Sequence, residues 1–318
     1  MCGTIPPMTA EKLDIFDYEP ACEHSSEAAR RHYWAVAIGL QQVDGLEVSP
    51  YLRKVAREYV AGKRDLAATG ELVRAYHGAG AGAKSGPQAV SPSAKDGDGA
   101  SREADLVAQR IAELLASAPF ALAPEMLQEI HRYLFQDLDP AVYQPGRFKT
   151  ERMVKQEDIL NGDSVLYADP LAYDMALRGA FAAEQAKSYR ALEGDELAEF
   201  CHFIAFIWQV HPFAEGNTCA VAVLSELYLN QLGFTVANEP FEKHARYYRD
   251  ALVRAMYRNA DAGIFPEESF LVAFYENVLG RAENNLDRER LICTALFENP
   301  ALIRNVDPVE ALDKRNLV

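Results

Sequence analysis

The chain is short of positive charge, short of cysteine and empty of long apolar runs, and each shortage removes a class of function. Its 318 residues carry 32 Lys and Arg against 47 Asp and Glu, a formal charge of -15. Nucleic acids and anionic membrane surfaces are gripped by clustered positive charge, so no nucleic-acid and no membrane partner is expected. The five cysteines (Cys2, Cys22, Cys201, Cys219, Cys293) are scattered, with no C-x-x-C pair and no metal-ligand spacing. Such an odd, dispersed set reads as reduced thiols of a cytoplasmic protein. No stretch approaches the ~18 apolar residues of a membrane helix, and the first residues lack the basic start and apolar core of a signal peptide. Hydrophobic residues still make up 49% of the chain, enough for one substantial domain and a smaller one.

Apolar spacing is helical almost throughout. Residues 26–77 read as helices, one of them opened by Ser49 as N-cap with Pro50 in its first turn and ended by Gly62. Residues 78–102, small, polar and rich in glycine, read as a flexible linker between two folded pieces. Amphipathic helices follow over 102–117 and from Pro124, then over 171–188, 195–210, 218–231, 243–258 and 267–283. The tail, 289–318, reads as one more helix that then frays. The exception is 152–168, which reads as two short strands around a two-residue Asn161-Gly162 turn, a dipeptide that tolerates positive φ. The fold class is therefore all-α with a small hairpin.

The chemistry concentrates in His211-Pro212-Phe213-Ala214-Glu215-Gly216-Asn217-Thr218, at the mouth of a predicted helix. Pro212 stops the preceding helix and is expected to hold His211 in extended backbone. His211 is a candidate general base for a hydroxyl, and Phe213 a core anchor. Glu215 can hold a magnesium ion through one carboxylate, with phosphates and water completing its shell. Gly216 allows close backbone approach, and Asn217 is a natural N-cap. The free N–H groups that follow form an anion site suited to phosphate.

This stretch resembles the signature of the Fic family, His-x-Phe-x-(Asp/Glu)-Gly-Asn-(Gly/Lys)-Arg-x-x-Arg, in its first seven positions. The resemblance implies a helical-bundle core over 103–288 with a flap at 152–168, preceded by a helical regulatory or docking region over 1–77 that serves dimerisation or target docking. It implies AMP transfer from ATP, with Mg2+, to a Ser, Thr or Tyr hydroxyl of a protein; UMP, phosphocholine and phosphate stay open as transferred groups. His211 would be the catalytic base and Glu215 the metal ligand. Gly216, Asn217, Thr218 and Cys219 would bind the phosphates, and Val165, Leu166 and Tyr167 would pair with an extended segment of the target.

The signature's two arginines are Cys219 and Ala222 in this chain, and its Gly/Lys position is Thr218. Loss of one donor to developing phosphoryl charge lowers a rate by ~10²–10³. The alternative reading is accordingly a Fic-fold nucleotide-binding or protein-interaction module without turnover. Cys219 itself is read as a small buried residue rather than a nucleophile, because no third group is evident to orient a thiol–histidine pair. Glu58, in the N-terminal helices, has no arginine at 222 to pair with.

Overall fold

The computed structural model describes residues 26–80 and 97–306. Helix α1 (Glu27–Gly39) starts where the Ser26 hydroxyl accepts the Ala29 amide at 3.1 Å. A 3-10 turn, Leu40–Asp44, follows it. The expected start of α2 (Pro50–Val60) is present, with Ser49 Oγ accepting the Leu52 amide at 3.1 Å. Next come α3 (Leu66–Gly80) and α4 (Gly97–Ser117). Helix thus reaches into both ends of the segment expected as linker, and residues 81–96 lie outside the described residues. The end of α3 is held by tertiary contacts: Tyr76 stacks on Tyr51 at 4.2 Å, and His77 Nε2 lies 2.9 Å from the buried Asp105 carboxylate.

The N-terminal helices are not a separate piece. Trp34, Val36, Ala37 and Leu40 share one hydrophobic core with Phe241, Tyr248 and Phe274. Gly39 packs so tightly on the helix behind it that a Cβ would stand 2.3 Å from the Phe241 carbonyl oxygen.

Helices α5 (Pro124–Phe135) and α6 (Pro140–Tyr143) lead to a two-stranded antiparallel sheet of β1 (Val154–Gln156) and β2 (Ser164–Leu166), with Lys155 opposite Val165. The connection is longer than the expected two-residue turn. Asp158–Leu160 coils as a 3-10 turn, and only then do Asn161 and Gly162 take left-handed backbone, φ +53 and +81. Asp163 explains the added length. Its fully buried carboxylate accepts Asn259 Nδ2 at 2.8 Å and the Arg304 amide at 3.1 Å, and also takes the Tyr257 hydroxyl.

Then follow α7 (Tyr173–Gln185), α8 (Asp195–Val210), α9 (Asn217–Gln231), α10 (Glu239–Met256) and α11 (Ser269–Val278). Where one terminal helix was expected, there is a short α12 (Thr294–Glu298) between 3-10 turns Arg288–Leu291 and Pro300–Leu302. This tail braces the hairpin: Cys293 N–H donates to Ile159 O at 2.9 Å, and Asn161 Nδ2 to Leu296 O at 3.0 Å. The fold is all-α apart from the hairpin, as read from the sequence. Among the described residues no helix is long and apolar enough to cross a membrane.

Candidate active site

Helix α8 ends at Val210 and α9 begins at Asn217, and the six residues between them carry the chemistry. His211 is left-handed (φ +50, ψ +55), not extended. Pro212 disfavours right-handed helical backbone at the residue before it, and a left-handed C-cap closes the last helical turn. Lys149 fixes the outcome from outside. Its amide donates to Pro212 O at 2.8 Å and its ammonium donates to His211 O. Burial is the main cause that lowers the Lys149 pKa to about 7, with Lys155 adding to it.

The rest of the loop is built on aromatic and amide contacts. Phe213 is buried, as expected, with its ring 3.8 Å from that of His131 on α5 and nearly parallel to it. His131 donates from Nε2 to Glu215 O at 2.9 Å and accepts the Gly146 amide on Nδ1 at 3.0 Å. Burial lowers its pKa to about 4, so it stays neutral and keeps both bonds. Asn217 is not the N-cap; Gly216 holds that position. The Asn217 amide instead reaches back, accepting Phe213 N–H at 3.0 Å and donating to Phe213 O at 2.8 Å. Gly216, at φ +75, is demanded twice, since a Cβ there would also stand 2.2 Å from Phe135 Cζ.

These contacts present His211 as a base. Nδ1 faces Trp208 O at 3.3 Å, and a carbonyl can only accept, so the proton sits on Nδ1 and the lone pair on Nε2. Nε2 is buried and has no hydrogen-bond partner. Burial, then Lys155 and Lys149, hold the pKa well below the usual histidine value. The Tyr167 ring covers the imidazole, 3.8 Å away and 18° from parallel.

Glu215 is exposed, 3.4 Å through Oε2 from the Lys155 ammonium. Among the described residues no group of three acidic, His or Cys side chains could hold a metal alone. A single open carboxylate fits a magnesium ion whose other ligands arrive with phosphates. At the start of α9, Ala220 is the first amide to bond back, to Gly216 O at 3.0 Å, which leaves the 217–219 amides without intrahelical acceptors. The side chains expected to bind phosphate are engaged elsewhere. Thr218 Oγ1 accepts Trp208 Nε1–H at 3.0 Å, and Cys219 Sγ turns to Leu40 O at 3.8 Å. Burial, then Asp44 and Glu103, push the Cys219 thiol well above its usual pKa, which removes it as a nucleophile. Ala222 is buried within α9. Of Gly216, Asn217, Thr218 and Cys219, the residues expected to bind phosphate, none offers a free side-chain donor, and what they present is the backbone amides of 217–219.

The flap needs a correction of strand. Tyr167 N–H donates to Met153 O and Glu157 N–H to Asp163 O, both at 3.4 Å, on either side of the Lys155–Val165 pair. Antiparallel alternation then turns the backbone groups of Val154, Gln156, Ser164 and Leu166 outward. On β2 that edge is occupied: Ser164 N–H donates to Arg304 O at 3.1 Å, and Leu166 O accepts Gln209 Nε2 at 2.6 Å. Val165 and Tyr167 are buried. No described residue pairs with the outer backbone of β1, so the open edge runs along Val154 and Gln156 rather than Val165, Leu166 and Tyr167.

Lys149, Lys155, His131 and Trp208 belong to the site and were not singled out from the sequence. A histidine on the apolar face of α5, beside Leu127, Ile130 and Leu134, was the available signal for His131. Nothing local marked the lysines.

No curated protein matches the chain. The family model described as Fic/DOC family matches residues 121–229, a stretch shorter than the 103–288 expected from the sequence. It starts just ahead of α5 and ends inside α9, so α4, α10 and α11 pack around a matched centre. The similarity to the Fic/DOC family thus spans residues 121–229, which hold the histidine loop, the flap and the helices framing them.

Proposed function

We propose that this chain is a transferase that moves AMP from ATP to a Ser, Thr or Tyr hydroxyl of a cytoplasmic protein. Transferase chemistry in general comes with the family. The finer reading is carried by one observation: His211 Nε2 is neutral, buried and unpartnered, in the loop that leads directly into the free amides opening α9. In the proposed step Nε2 takes the proton of the target hydroxyl. The hydroxyl oxygen bonds to the α-phosphorus of ATP, the bond from that phosphorus to the bridging oxygen breaks, and pyrophosphate leaves. The amides of 217–219 receive the charge that builds on the phosphoryl oxygens. Glu215 would hold magnesium, which when bound neutralises the pyrophosphate. The target segment pairs with the open edge of β1.

The test is label transfer from ATP carrying the label on its α-phosphate. We expect labelling of a protein in a lysate, or of the chain itself, that disappears in His211→Ala. Cys219 supports a second reading, because its thiol faces Leu40 O and offers a phosphate nothing. Under that reading the chain binds nucleotide without turnover. ATP binding with no His211-dependent label would establish it.

A further inference from the structure

Three cations from three elements act on His211: Lys149 from the loop before the flap, Lys155 from β1 and Arg249 from α10. Carboxylates stand among them: Glu215 beside Lys155, Glu157 beside Arg249, and Asp44 within reach of both cations. Two of the three are committed. Lys149 is buried and donates to His211 O. Arg249 is paired at 2.8 Å with Glu157, whose carboxylate is itself buried. Lys155 is held more loosely. Its contact with Glu215 is 3.4 Å, and that carboxylate is itself half exposed, whereas the partner of Arg249 is buried.

The backbone of Lys155 is held in the sheet opposite Val165, so its ammonium is tethered beside the loop while its four-carbon stem remains adjustable. Residues 219 and 222, at the other end of the site, contribute a buried thiol and a buried methyl. A nucleotide triphosphate arriving at the amides of α9 would meet no cationic side chain from α9 itself in that first turn. It would meet Lys155 from the flap.

We propose that Lys155 is the phosphate-contacting cation of this site, supplied by the flap in place of a side chain from α9. Its resting partner, Glu215, is the carboxylate that would hold magnesium, so the incoming phosphates and their metal separate the pair and take one partner each. The flap that positions the target segment then also closes the charge around the donor. This rests on the nucleotide-transfer reading above, and the experiment separates the two.

The natural chain, Lys155→Met, Lys155→Arg and His211→Ala are compared for binding of ATP with magnesium, binding of adenosine, and α-phosphate label transfer. Lys155 is partly exposed on a short strand, so unchanged thermal midpoints are expected. Lys155→Met is expected to weaken ATP binding about tenfold and slow transfer ~10²-fold, the scale of one lost donor to phosphoryl charge. Adenosine binding should be unaffected, and Lys155→Arg should keep most of the natural values. Unchanged ATP affinity and rate in Lys155→Met would overturn the proposal while leaving the transferase reading intact. So would tighter binding of ATP with magnesium, because Lys155 would then only be masking Glu215. Lys155-dependent ATP binding without His211-dependent label would uphold Lys155 and sink the transferase reading. Absence of ATP binding by the natural chain would sink both.

Discussion

At the scale of single residues, Gly216 and His211 set sharp expectations. Gly216→Ala must hold a methyl in left-handed backbone, φ +75, and 2.2 Å from Phe135 Cζ. Backbone strain and overpacking together should cost roughly 2–4 kcal/mol, read as a lowered denaturant midpoint. His211 is neutral well below its ordinary pKa because it is buried and faces Lys155 and Lys149. The base is therefore already competent at pH 6.5, and the acid limb of the transfer rate should fall below that pH. An inflection near 6.5 would mean that the titrating base is a solvent-exposed imidazole. The roles of His211, Phe213 and Glu215 could be read from their order in the chain. The left-handed turn of His211 could not, because Lys149, 62 residues away, is what secures it. Nor could the backward reach of Asn217, which the usual preference of asparagine for N-caps argues against.

At the scale of elements, the hairpin shows how far local chemistry reaches. Asn161-Gly162 does take the left-handed pair of conformations that its composition favours. The turn around it is longer because Asp163 is gripped by Tyr257, Asn259 and Arg304, which no window of neighbouring residues contains. The same distant tail covers the outer edge of β2, and among the described residues nothing pairs with the outer backbone of β1. Val154→Pro tests that asymmetry. The Val154 N–H points outward, so proline there removes no rung of the ladder but blocks strand addition. Target labelling should drop at least about tenfold, a loss on the scale of one to two backbone hydrogen bonds, with ATP affinity unchanged. Equal loss of both would place the target elsewhere.

At the scale of the whole molecule, two buried histidines make stability depend on acid. The pKa of His131 is lowered to about 4, and that of His211 is lowered as well, chiefly by burial. The unfolded chain binds these protons near pH 6.5, so the folded state is favoured in full above 6.5 and loses that advantage as pH falls toward 4. His131 alone should contribute roughly 3 kcal/mol of that loss. The thermal midpoint should therefore drop steeply between pH 6.5 and 4.5, whereas a flat profile would contradict the burial of both rings. Helical periodicity made the fold class legible, but not the joining of the N-terminal helices to the rest. That joining depends on single contacts such as Gly39 against Phe241 and Cys219 against Leu40. The last contact ties two distant stretches of sequence into one unit of inheritance. Leu40 O stands 3.8 Å from the buried Cys219 Sγ, so a longer side chain at 219 is expected to require a shift of the Leu40–Asp44 turn. Relatives of this chain are expected to change the two places together, and a single substitution at either one is the path that selection would find closed.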